Sequence, residues 1–184
     1  MRSKFDEQLH LLNQEMMQMG SMIEDSIQKA INALIDQNVE LAKKIMDNDT
    51  QIDHEQKKIE NLCFNLLMQQ QPVAKDLRQI SAALKMITDM ERIGDQAEDI
   101  AEIICFLKEE DRKEDILLPE MAKASIGMVT ESVDAFVKRD IMLAEKVIKD
   151  DDIVDRYFDR VKEDLIRKIA DDPKDGEYAI DLLI

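Results

Sequence analysis

The 184-residue chain sets 41 acidic side chains against 25 basic ones, a formal net charge of −16, with 45% hydrophobic and 36% charged residues. That balance is globular rather than disordered. It repels a phosphate backbone, and no clustered Lys/Arg run interrupts it, so nucleic acid is excluded as an expected partner. Only 4 Gly, 3 Pro and 4% aromatics, beside 12 Met, describe a chain that seldom turns and fills its interior with flexible aliphatics, which predicts an all-α fold.

A first helix is expected from Phe5 or Asp6 to about Met46, with Leu9, Leu12, Met16, Met19, Ile23, Ile27, Ala30, Leu34, Leu41 and Ile45 on a seam of three-, four- and seven-residue steps. Glu7 and His10 form one E-x-x-H pair of the kind di-iron bundles use in duplicate. The other histidine, His54, has Gln51 three residues before it, so the pair reads as surface residues. The segment D-N-D-T, residues 47–50, predicts a break and N-caps for a second helix from Thr50 to Gln71. Pro72 ends it, and a third helix follows from Val73 to about Leu107. The first bundle thus covers 1–107, a charged segment ending at Pro119 is a linker over 108–119, and the second bundle covers 120–184.

After the linker the pattern recurs. At an offset of 102 residues Asp53 falls on Asp155, Leu41-Ala42 on Leu143-Ala144 and Asp49 on Asp151, ungapped from Ile27 to Leu67. Such a register marks a tandem duplication and places the fourth and fifth helices at Glu120 to Lys149 and Asp152 to Ala170. A sixth helix is expected to begin at Gly176 or Glu177, so the second three-helix bundle lacks most of its last helix within these residues.

Two D/E-x-x-x-D pairs carry the candidate chemistry. Asp53 and Glu91 each lie 19 residues from Pro72, and Asp49 and Asp95 each lie 23, so an antiparallel hairpin brings the pairs to one height. Stepping about 100° per residue puts Glu91, Asp95, Glu98 and Glu102 in line with Leu77, Leu84 and Ile87, and Asp49, Asp53 and Glu60 in line with Leu67; Asp99 adds a further acid. Four carboxylates at one level repel strongly unless a cation joins them. Oxygen-only ligation favours Mg²⁺, Ca²⁺, Mn²⁺ or oxidised iron over a structural zinc site. The alternative is a solvated acidic face, with the core rotated onto Met90, Ile93, Ala97 and Ile100. Asp151 and Asp155 repeat half of the arrangement, while the copies of Glu91 and Asp95 would fall beyond Ile184. Cys63 and Cys105 read as buried reduced thiols, Gly94 as a packing glycine, Asp76 as a first-turn acid and Arg78 as a partner for acids of the second helix. There is no Gly-rich phosphate loop and no nucleophile set, so no enzyme activity is expected. Met1 leads directly into R-S-K-F-D-E and no long apolar run is visible, which predicts a cytoplasmic protein.

The stretch D-L-R-Q-I-S-A-A-L-K-M-I-T-D-M-E-R-I-G-D-Q-A-E-D-I-A-E, residues 76–102, resembles the PhoU family, as do the N-terminal F-D-E-Q-L and M-G-S-M-I-E segments. The resemblance covers essentially the whole chain. It implies two three-helix bundles with multinuclear metal clusters on E/D-x-x-x-D motifs, which Asp49/Asp53, Glu91/Asp95 and Asp151/Asp155 match here, and iron as the first candidate metal, with Mn, Mg and Zn as alternatives. It also implies a homodimer and a negative regulator of phosphate uptake. Such a protein bridges the ATPase subunit of a phosphate ABC transporter and a sensor histidine kinase, and meets the membrane only through the transporter. The competing expectations are a carboxylate-bridged iron oxidase or store, and a metal-free helical scaffold.

Overall fold

The computed structural model describes residues 2–69, 72–107 and 117–183, leaving out also the side chains of residues 2, 3, 48, 49 and 69. Among the described residues six α-helices follow in order: α1 (Arg2–Asp36), α2 (Val39–Gln69), α3 (Ala74–Ile104), α4 (Leu118–Lys138), α5 (Ile141–Asp171) and α6 (Gly176–Asp181), with the 3-10 turn Pro173–Asp175 before the last. The fold is all-α, a three-helix bundle followed by a second one whose third helix, α6, spans six residues. Most of the predicted 108–119 linker lies outside the described residues; its last two, Leu118 and Pro119, open α4 instead, where a proline costs no hydrogen bond.

The breaks fall earlier than expected. The first helix stops at Asp36, not Met46, because Gln37 takes a left-handed backbone (φ 48°) and the Asn38 side chain accepts the Leu41 N–H, capping α2. D-N-D-T is helical throughout. The second repeat does the same at the equivalent positions: Arg139 is left-handed (φ 56°) and Asp140 caps α5 through the Leu143 N–H. The fourth helix therefore ends at Lys138 rather than Lys149, and the fifth starts at Ile141 rather than Asp152. The 102-residue register holds across both turns. Neither turn contains the glycine that commonly marks such a break.

The main core runs from Phe5 and Leu9 through Leu12, Met16, Met19 and Ile23 of α1 to Ile59, Cys63 and Leu66 of α2 and Ile80, Ala83, Ile87 and Met90 of α3. Val129 and Val133 of α4 belong to the same cluster, and a methyl built on Gly20 would stand 3.1 Å from Val133, so α1 is the element both bundles share. A second cluster of Ala30, Ala33, Ala42, Ile45, Ala97, Ala101 and Ile104 closes the other end with small side chains. In the second repeat the enclosed core shrinks to Val161, Leu165 and Ala179, and α5 leaves Ile141, Met142 and Ile148 largely exposed.

Cys63 is fully enclosed, and Cys105 is half-buried rather than buried; neither is in a disulfide. Burial, with a smaller effect from the Glu60 charge, pushes the Cys63 thiol up to about 12. Because the thiolate is the nucleophile, Cys63 in the folded protein should resist iodoacetamide at pH 8 while Cys105 reacts first. Mass spectrometry of the alkylated chain reads this, and equal labelling of both would contradict it.

Candidate metal centre

The hairpin of α2 and α3 builds the site. Asp53 on α2 and Glu91 and Asp95 on α3 are each half-buried, and one carboxylate oxygen from each lies within 4.8 Å of the others. Equal distance from Pro72 thus translates into a shared height, as the antiparallel geometry requires. Asp49 lies in α2, but its side chain falls outside the described residues.

The buried line of α3 is Ile80, Ala83, Ile87, Met90, Gly94, Ala97, Ala101 and Ile104, while Leu77 is exposed and Leu84 half-buried. The core has therefore turned onto the Met90–Ala97 line, with Ile93 left exposed, and the acids do not continue the apolar stripe directly. Glu91 and Asp95 sit instead at its margin, where they face Asp53 rather than open water. The remaining acids grade outward. Glu98 is half-buried, and Asp99, Glu102 and Glu60 are exposed, with Asp99 accepting a hydrogen bond from Gln96. Asp151 and Asp155 are both exposed on α5, and no acid group comparable to the first-repeat triad forms around them among the described residues.

Gly94 explains the close approach. A methyl at this position would meet Ile52 Cδ1 at 3.0 Å and Cγ2 at 3.2 Å, and Ile52 immediately precedes Asp53. The absent side chain lets α2 nest against α3 one residue before Asp95, so the glycine and the acids of E-R-I-G-D act as one unit. Replacing Gly94 by Val should overpack the seam, costing about 1–3 kcal/mol in a denaturant titration. It should also weaken metal binding; unchanged values of both would refute this role.

Asp53 pairs with Lys57 of its own helix at 3.6 Å, and Arg92 pairs with Asp89 at 3.8 Å. Burial first, then the charges of Asp53 and Asp99, hold the Asp95 carboxyl above its usual range. A raised carboxylate with an acid beside it is the electrostatic mark of a place that a cation would relieve. The donor set therefore fits a hard cation: all oxygen, three ligands from two rigid helices, with no nitrogen or sulfur among them.

Two constellations escaped the sequence reading. Glu15 of α1 and Glu55 of α2 are both buried, and the Lys58 ammonium donates to Glu15 and, at 3.3 Å, to Glu55. Burial raises Glu15, but hydrogen bonds with Glu55 and Lys58 bring it below its ordinary value, while Glu55 is raised by burial and by its bond to Glu15. The signal available was Glu15 between Leu12 and Met16, an acid on the seam itself. The second is a set of cations. Arg78 forms no ion pair with acids of α2 among the described residues; it lines a cavity together with Lys75 and Arg139, although no basic cluster is visible along the chain.

Fold and site together define an all-helical tandem-bundle protein with a carboxylate cluster on the hairpin of its first repeat. A family model described as the PhoU domain matches residues 16–104 and 118–184. The chain belongs to the PhoU family. It is similar to the phosphate-specific transport system accessory protein PhoU homolog of Aquifex aeolicus, 35% identical over 97% of this chain and 81% of that one. The homolog of Clostridium acetobutylicum is 38% identical over 93% of this chain and 79% of the relative. The crystal structure of PhoU from Pseudomonas aeruginosa superposes with a TM-score of 0.90 at 30% identity, covering 97% of this chain and 87% of that one.

Proposed function

We propose that the chain is a metal-binding regulatory adaptor that holds down phosphate uptake and phosphate-starvation signalling by contacting a phosphate ABC transporter's ATPase subunit and a sensor histidine kinase. Family membership supports the phosphate role, since its relatives are named as accessory proteins of phosphate-specific transport. The convergence of Asp53, Glu91 and Asp95 carries the metal part of the reading. Iron is the first candidate, with Mn, Mg and Zn as alternatives, and Asp49 is the next acid along α2 able to extend the cluster. Asp151 and Asp155 are the second repeat's contribution to an equivalent site.

No described helix is long and apolar enough to cross a membrane. The exposed apolar side chains of α5, Ile141, Met142 and Ile148 among them, suit a homodimer or partner contact. Removing the gene should switch phosphate-starvation transcription on in phosphate-replete medium. Expression that still follows external phosphate after deletion would overturn the reading.

A further inference from the structure

The spacing that brings the carboxylates together continues past them toward the tip of the α2–α3 hairpin. Asp53 and Glu91 lie at equal distance from Pro72, and so do Glu60 and Leu84, then Leu67 and Leu77, each pair seven residues nearer the tip than the one before. Because Asp53 meets Glu91 and Asp95 across the seam, the same two faces oppose each other at all three levels, which makes a groove about 21 Å long. Glu55 and Lys58 turn toward Glu15 of α1, so the Asp53–Glu60 line lies on the other flank of α2. Both walls belong to the first repeat, whose three helices are all in place.

The groove changes character along its length. Near the tip its floor is Leu67 and Leu84, both half-buried and packed on the main core. Its rims there carry Phe64 and Leu77, each 45% exposed, with Val73 at 49% and Met68 at 76%. Large apolar side chains gathered at one hairpin tip, with nothing from this chain over them, mark a contact surface rather than a scatter of single exposed residues. The other end is anionic. Asp53, Glu91 and Asp95 form its head, Glu60 stands between the two ends, and Glu98 and Glu102 extend the line along α3. Lys57 meets Asp53 at 3.6 Å and offsets part of this charge.

We propose that this groove docks a basic amphipathic helix of a partner protein, its apolar end seated on Phe64, Leu67 and Leu77 and its Lys or Arg end on the carboxylate head. A helix of about four turns spans the distance, and apolar anchors at i, i+4 and i+7 match the heptad levels of the floor. Charge selects this occupant over a second copy of the chain, which would bring its own net charge of −16 against the acidic head. The groove gives the adaptor reading its contact surface and rests on that reading. A partner's cations and a metal are alternative counter-charges for the same carboxylates, so docking is tighter when the cluster is free of metal.

Fluorescence anisotropy of the full chain in EDTA tests it, with a labelled synthetic helical peptide of about 18 residues as the probe, leucines at i, i+4 and i+7 near one end and arginines near the other. The expected result is saturable 1:1 binding that weakens as salt rises. The same peptide with serine for leucine, or with glutamate for arginine, should bind at least about tenfold more weakly. A Phe64→Ser/Leu77→Ser variant, altering two exposed side chains, should keep its unfolding temperature and its metal binding while losing at least about tenfold in peptide affinity. Mn²⁺ in place of EDTA should weaken the wild-type complex at least about threefold. No saturable binding, serine and leucine peptides binding alike, affinity unaltered in Phe64→Ser/Leu77→Ser, or affinity unaltered by Mn²⁺ that calorimetry shows to be bound would each overturn the proposal. A smaller oligomer in Phe64→Ser/Leu77→Ser than in the wild type would overturn it too, by assigning the tip to a second copy. Peptide docking lost with metal binding intact defeats the groove alone, and peptide docking without any metal binding defeats the metal reading alone.

Discussion

Metal added to the wild-type protein should raise its unfolding temperature, and in a Glu91→Gln/Asp95→Asn variant that increase should disappear. A cation at 100 times its dissociation constant stabilises the native state by about 2.7 kcal/mol, which for a chain of this length is about 5–10 °C. Loss of two of three carboxylate ligands should weaken binding by more than about 100-fold, since even outer hydrogen-bond partners of metal ligands cost 10- to 100-fold. Without metal the order reverses. Asp95 is held above its usual range by burial and by Asp53, so its ionised form works against the metal-free fold, and the variant should be as stable as the wild type or slightly more so.

The pH dependence follows from the same raised carboxyl. The folded metal-free protein takes up a proton on Asp95 more readily than the unfolded chain does, so this residue's contribution to stability falls as pH rises through its folded range. Metal competes with that proton, so the metal-dependent increase in unfolding temperature should fade as pH is lowered, beginning above the ordinary carboxylate range. Differential scanning calorimetry at several pH values, with metal and with chelator, reads both trends. A metal effect that survives in the double variant would remove the triad from the account.

The second large effect belongs to Lys58. Its ammonium joins two buried carboxylates from different helices, and Lys58→Met leaves Glu15 and Glu55 side by side without it. Breaking a fully enclosed ion pair costs 3–5 kcal/mol; Lys58 is itself 43% exposed, so about 1–3 kcal/mol is expected at pH 7. The Lys58 pKa is raised, chiefly by the Glu15 bond, so this stabilisation is complete below the ordinary lysine value of 10.5 and is lost as pH rises through the folded one. Alkaline unfolding should therefore shift to lower pH in Lys58→Met. A Glu15→Gln/Glu55→Gln/Lys58→Met triple variant should regain most of the loss, because the buried acids no longer require a cation. Equal stability of Lys58→Met and wild type in urea at pH 7 would contradict the bridge.

Periodicity and register carried most of the fold. Leu12, Met16, Met19 and Ile23 are spaced for one buried face and form it, and the 102-residue repeat relates Gln37-Asn38 to Arg139-Asp140, two turns of the same backbone. The turns themselves were hidden because a left-handed Gln or Arg leaves no glycine, and because Asn38 and Asp140 compete with several other capping residues nearby. Measuring from Pro72 paired Asp53 with Glu91 correctly in height, but rotation about α3 was settled by Gly94. Its packing on Ile52 turns Met90 and Ala97 inward and holds the acids at the margin. Clusters drawn from distant helices were illegible for a simpler reason: Glu15 and Lys58 are 43 residues apart, and Gln79 and Arg139 are 60, so only the tertiary fold makes them neighbours.

Diffraction from metal-loaded crystals, recorded on both sides of the absorption edge of the bound metal, tests the carboxylate cluster most directly. The account predicts an anomalous peak enclosed by Asp53, Glu91 and Asp95, absent from crystals of Glu91→Gln/Asp95→Asn. A fully loaded crystal with no peak between these three carboxylates would contradict it.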